Sequence, residues 1–230
     1  MDLAQRGERK MIKKLTLIHT VPGLVSLFGD LCKEIMPQVA VYHLVEESLL
    51  KNLLQIGEIT AYTNRRVVET ILSAEDGGAD AVLVTCSSIG PCVPLARPLC
   101  RVPVLRIDDA MAEQAVQQAK RIGVAATAKT TLRPTADLIE EKARQAKKEV
   151  SVQSSLYEEA FSALMAGDTA RHDSIVLEGL KAQERQGAEV LVLAQASMAR
   201  LASPAAKEVR VPVLTSPRLA VERAQEALGA

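Results

Sequence analysis

The sequence has no tryptophan and only two phenylalanines and three tyrosines in 230 residues. A chain so poor in aromatics lacks the stacking platforms that hold single-stranded nucleic acid. It also lacks an excess of charge of either sign, since 28 Lys and Arg balance 28 Asp and Glu. With no long basic run, neither nucleic acid nor an anionic membrane is expected as a partner. No apolar stretch reaches the ~18 residues that a spanning helix needs. The cysteines, Cys32, Cys86, Cys92 and Cys100, show no CxxC spacing, and His19, His43 and His172 are the only histidines. A Cys/His metal site is therefore not expected. Neither a Walker A nor a GxGxxG motif occurs, and Gly77-Gly78 reads as a helix stop. Met1–Lys14 is charged and has no apolar signal segment. It reads as a leader, with Met11 an alternative start, and the protein is expected in the cytoplasm with reduced thiols.

What is present is a segment that occurs twice. GADAVLVTCSSIG begins at Gly78 and GAEVLVLAQASMA at Gly187. Each is followed by Val-Pro-Val-Leu, at Val102 and at Val211, and both pairs lie 109 residues apart. Around them, short β runs alternate with amphipathic stretches. Strands are expected at 14–19, 39–43, 81–85 and 103–105, and again at 121–126, 149–153, 190–194 and 212–214. Helices fall between them, including 24–35, 46–55, 60–76, 132–147 (with Pro134 in its first turn) and 217–228. Such alternation implies parallel sheets with helices on both faces. The duplication implies an α/β protein of two pseudo-symmetric lobes, each with a four-stranded parallel sheet. The first lobe is expected over 12–108 with the C-terminal helix 217–230, the second over 109–216.

Ligands of open parallel sheets collect at the carboxyl ends of the strands. Four such ends carry small polar residues: His19-Thr20, Cys86-Ser87-Ser88, Thr127 with Lys129-Thr130-Thr131, and Gln195-Ala196-Ser197. Hydroxyls and N–H groups at helix N-termini suit a carboxylate. Cys86 precedes such a terminus, which would lower its pKa and give it thiolate character. The alternative reading is a small buried hydrophobe. Lys129 is a candidate carboxylate ligand. His172 is expected in solvent, and Cys32, Cys92 and Cys100 in packing.

The paired strand-end motifs VTCSS and LAQAS, the half-repeat and the chain length resemble the aspartate/glutamate racemase superfamily, over about Met11 to Leu228. That resemblance implies flavodoxin-like lobes with the active site between them, no cofactor, and a homodimer. It also implies proton transfer at a substrate carbon by a cysteine from each lobe. Cys86 matches the first cysteine, whereas Gln195 fills the place of the second. An amide exchanges no proton at neutral pH but donates and accepts hydrogen bonds. His19 stands where several members of that superfamily have an acid, and it can serve as acid/base or thiolate partner. Thr20, Ser87, Ser88, Thr127, Lys129, Thr130, Thr131, Gln195 and Ser197 are then the substrate-binding candidates. The expected activity is an isomerase or racemase acting on a small carboxylate-bearing carbon acid. A decarboxylase, or a binding protein without catalysis, is the alternative.

Overall fold

The computed structural model describes residues 12–230. The leader up to residue 11, with the alternative start at Met11, lies outside the described residues. The first half runs β1 (Lys14–His19), α1 (Leu24–Ile35), β2 (Ala40–Val45), α2 (Glu47–Ile56), α3 (Ala61–Asp76), β3 (Ala81–Val84), a 3-10 turn over Ser87–Cys92, α4 (Val93–Ala96) and β4 (Val104–Arg106). The second half runs α5 (Asp109–Gln118), β5 (Arg121–Ala126), α6 (Lys129–Gln145), β6 (Ser151–Leu156), α7 (Glu158–Met165), α8 (Thr169–Arg185), β7 (Val190–Leu193), a 3-10 turn over Ala196–Leu201, α9 (Ala202–Glu208), β8 (Val213–Thr215) and α10 (Ser216–Leu228).

The strands form two parallel sheets of four, ordered β2-β1-β3-β4 and β6-β5-β7-β8. The repeated sequence thus builds the same pair of strands in each sheet. Both faces of each sheet are covered, so the central strands are apolar on both sides. Leu15, Leu17, Ala81 and Leu83 point into a core shared with Phe28 of α1. Ile18, Val82 and Val84 point the other way, toward Val67 and Ile71 of α3. In the second sheet Val190 and Val192 face Leu138 and Ile139 of α6, while Leu191 and Leu193 face Val176 and Leu180 of α8. This period of two along β3 and β7 leaves no slack in register, because a one-residue slip would exchange the two cores.

α10 returns from the second sheet to the first. Its Ala220, Val221, Ala224 and Leu228 share the core of Leu15 and Leu17, and Leu219 packs toward the α5–α6 core.

Two expected elements are corrected. α6 begins at Lys129 instead of 132, which puts Pro134 inside the helix and not in its first turn. Proline there has no N–H to give the Thr130 carbonyl, which weakens the first turn without ending the helix. β6 runs Ser151–Leu156, two to three residues later than expected. It is a sheet edge with a mostly polar sequence, so burial leaves little periodic mark on it.

Candidate active site

In each sheet the chain order reverses between the two central strands, β1 and β3 or β5 and β7. A crevice opens outside their carboxyl ends at such a point. The residues delivered there are Thr20 and Cys86 from the first lobe, and Thr127 and Gln195 from the second. The crevices of the two lobes form one cleft of about 360 Å³, walled by residues of both.

Cys86 leaves β3 in extended conformation and enters the 3-10 turn. The sulfur lines the cleft and is half-buried. Burial pushes its thiol up, while the Thr20 hydroxyl, the N–H groups of Ile89 and Ser88, and the Ser88 hydroxyl favour the thiolate. Desolvation is the largest of these effects, so the expected lowered pKa is corrected. A six-residue 3-10 turn is not an α-helix, and its poorly aligned peptide dipoles offer less to an anion. Thr20 is 3 % exposed, and its Oγ1 has no partner beyond its approach to the sulfur. Alkylation of Cys86 by iodoacetamide is therefore expected to be slow at pH 7 and to accelerate above the ordinary thiol range near 8.5. Thr20→Val removes a donor that favours the thiolate, and is expected to slow the reaction further at every pH. A Cys86 that reacts at pH 7 as fast as free cysteine would contradict this environment.

Gln195 holds the matching strand end in the second lobe. Its Oε1 accepts from Thr127 N at 2.6 Å, Thr127 Oγ1 at 3.0 Å and Ala128 N at 3.3 Å. Three donors converging on one atom identify it as the amide oxygen. The Nε2 has no hydrogen-bond partner among the described residues, and Gln195 lines the cleft. The side chain therefore anchors the loop before α6 with its oxygen and keeps two N–H donors for the cleft.

The serines of the cysteine motif line the cleft, and their hydroxyls also bond across the lobes. Ser87 Oγ donates to Ala194 O across the lobes at 3.2 Å. Ser88 Oγ lies 2.8 Å from Thr131 Oγ1 and 3.3 Å from Thr130 Oγ1. These bonds join the two lobes. Ser88→Ala is expected to destabilise the protein by about 1 kcal/mol, read as a lower denaturant midpoint. An unchanged midpoint would show that the contact carries no load. Thr130, Thr131 and the exposed Ser197 also line the cleft.

Three candidates are not brought to the cleft wall. Thr127 is buried, with N–H and hydroxyl both given to Gln195, so it supports the site and does not line it. Lys129 is exposed at the start of α6 and is not among the residues that line the cleft. His19 is fully buried, with Nδ1 2.8 Å from Thr85 Oγ1 and Nε2 2.9 Å from His43 Nδ1. Its partner Thr85 lines the cleft and His19 does not, so direct acid/base contact with substrate is corrected. His172, expected in solvent, is buried against Asp173 and Arg200.

Burial, and then the neighbouring His43, lower the His19 pKa from 6.5 to about 4. The unfolded chain therefore binds a proton that the folded protein refuses between these values. Stability is complete above pH 6.5 and falls as pH drops through that window, by on the order of 2 kcal/mol at pH 5 from this group. Urea midpoints measured from pH 7 to pH 5 test this, and His19→Gln is expected to flatten the slope. An equal slope in the variant would assign it elsewhere.

Sequence reasoning missed the cleft's apolar walls. α2 buries Leu49 and Leu53 in the core and turns Leu50 and Leu54 toward the cleft. α7 buries Ala160 and Ala163 and turns Phe161, Leu164 and Met165 to the same space. The signal was the doubled leucines at a spacing of four in ESLLKNLLQI, one pair more than a core-facing stripe requires.

Two lobes of one parallel topology, with a thiol and an amide brought to a shared cleft, define a two-lobed α/β protein with its candidate site between the lobes. An allantoin racemase from Klebsiella pneumoniae has this fold, with a TM-score of 0.69 and 21 % identity over 94 % of this chain and 89 % of that one. So does a glutamate racemase from Francisella tularensis solved with D-glutamate, at 0.72 and 15 % identity over 94 % and 81 %. The aspartate racemase of Picrophilus torridus gives 0.69 and 14 % identity over 94 % of each chain. No curated protein sequence matches the chain. The family model described as Asp/Glu/Hydantoin racemase matches residues 24–224, and the chain belongs to that family.

Proposed function

We propose that this protein is a cofactor-independent isomerase that moves a proton at a carbon atom next to a carboxylate, with Cys86 as the proton carrier. The observation that carries this reading is the setting of Cys86. It is the only thiol lining the cleft among the described residues, and two backbone N–H groups and two hydroxyls favour its thiolate. The first turn of α6 has no side-chain cap and no acidic residue. Its free N–H groups, the Thr130 hydroxyl and the Gln195 Nε2 are donors suited to the carboxylate.

In the forward step the C–H bond breaks, the proton passes to sulfur, and the electron pair enters the carboxylate as an enediolate. Donors fixed before reaction stabilise that charge without reorganisation. Return of the proton from the same sulfur to the same carbon exchanges hydrogen with retention of configuration; isomerisation follows where a double bond conjugated with the enediolate lets the proton return to a second carbon. The similar structures are named for glutamate, aspartate and allantoin, the last of which carries no carboxylate, and the substrate of this chain is taken up below.

One observation favours a second reading, a decarboxylase. Burial is the largest influence on Cys86 and favours its neutral thiol. A neutral thiol can protonate the carbanion left when CO₂ departs, whereas proton abstraction first requires the thiolate. Incubation in D₂O with 2-substituted carboxylates is expected to place deuterium at the α-carbon. Release of CO₂ from substituted malonates would favour the second reading. Binding without either reaction would overturn both and leave a binding protein. A cytoplasmic homodimer belongs to the same proposal, and exposed Tyr42, Leu44 and Val45 on the edge strand β2 support self-association.

A further inference from the structure

The cleft has two unlike ends. Its floor is polar and consists of the strand ends already described. Its mouth is made by one helix from each lobe, in matching places: α2 follows β2, and α7 follows β6. Each of these helices already buries a stripe in its own core, Leu49 and Leu53 in α2, Ala160 and Ala163 in α7. Each carries a second apolar stripe that its core does not use. Leu50 and Leu54 are four residues apart, and Phe161, Leu164 and Met165 follow at the three- and four-residue spacing of one helix face. Leu54 is 42 % exposed and Met165 72 %. Large apolar side chains left in water on both sides of one cavity mark a surface that a ligand covers.

Charge points the same way. Among the described residues the only charged ones of the cleft wall are Glu47 and Lys51, both exposed and paired with each other at 3.1 Å. No arginine lines the cleft among the described residues. The floor supplies neutral donors for one carboxylate. A second carboxylate, such as that of an acidic amino acid, would enter the apolar mouth without a desolvated cation to meet it.

We propose that the substrate bears one carboxylate and one bulky, uncharged apolar substituent on the reacting carbon, and that the α2 and α7 walls select it over dicarboxylic amino acids. The carboxylate sits at the α6 terminus and Gln195, and the substituent fills the mouth between Leu54 and Phe161. This rests on the reading of the cleft as the reaction site.

The experiment measures protection of Cys86 from iodoacetamide at pH 9 by three probes: acetate, L-glutamate and 2-phenylpropionate. The expected half-protection concentration for 2-phenylpropionate is at least tenfold below those of acetate and glutamate, the effect of burying a phenyl group. Phe161→Ala and Leu54→Ser are each expected to erase most of that advantage while leaving protection by acetate unchanged. Equal protection by all three probes, or preference for glutamate, would overturn the selection by apolar walls while keeping the cleft as the site. Loss of all protection by every probe would instead overturn the cleft reading itself. A variant that fails to fold is recognised by its lost urea transition, and the wild-type ranking of the three probes still decides the proposal.

Discussion

Cys86→Ser is expected to reduce solvent deuterium exchange at the substrate carbon by 10³-fold or more. Positioned acid/base groups contribute roughly 10²–10⁴-fold, and among the described residues no second thiol lines the cleft to substitute. Serine keeps the size and hydrogen-bonding character of the side chain, so Thr20 and the N–H groups of Ser88 and Ile89 retain a neighbour. Its hydroxyl, however, holds its proton far too tightly to exchange it with carbon near neutral pH. Binding should persist, so the loss is expected in kcat and not in KM. Exchange within tenfold of wild type would remove Cys86 from the mechanism and transfer the role to a group outside the present account.

Gln195→Cys is the second large effect, and it is a gain. Gln195 and Cys86 occupy equivalent strand ends on the two lobes, and the amide brings donors but no transferable proton. A thiol at position 195 would provide an acid/base on the second face of the carbon. The ratio of inversion to deuterium incorporation is expected to rise from well below 0.1 toward unity, a roughly tenfold change for a fully active second thiol. The substitution has a cost in stability, because Thr127 N, Thr127 Oγ1 and Ala128 N lose their acceptor, about 1–3 kcal/mol for buried donors. Gln195→Glu separates the two roles. Its carboxylate still accepts from the loop but presents an acceptor where the amide presented N–H groups, so carboxylate binding is expected to weaken tenfold or more with the fold intact. An inversion ratio in Gln195→Cys that equals wild type, with the protein folded, would argue against the equivalence of the two positions.

The architecture was legible because its signal is redundant. The apolar runs at Ala81–Val84 and Val190–Leu193 are buried on both faces, and the repeat placed them in register without any alignment. Cys86 and Gln195 were legible for the same reason, as the ends of those runs. His19 misled because adjacency to Thr20 in sequence says nothing about direction. Successive side chains on a strand point to opposite faces, and His19 turned to His43 and Thr85. The pKa of Cys86 was misjudged because a 3-10 turn and an α-helix read alike in sequence, and burial is a property of the assembled lobes. The bonds from Ser87 to Ala194 and from Ser88 to Thr131 were not legible, because no sequence pattern reveals a partner more than forty residues away. The walls of α2 and α7 were present as extra leucines and a phenylalanine, but an apolar stripe is ordinarily read as core.

The central claim is that one thiol on one face of the cleft moves the proton. The most direct measurement follows (S)-2-phenylpropionate with the wild-type enzyme in D₂O, recording deuterium incorporation by NMR and configuration by chiral chromatography in the same samples. Incorporation that far outruns inversion is the predicted result, because Cys86 removes and returns hydrogen on a single face while Gln195 only donates hydrogen bonds. Inversion accompanying every incorporated deuteron, or no incorporation at all while the acid protects Cys86 from alkylation, would contradict the account.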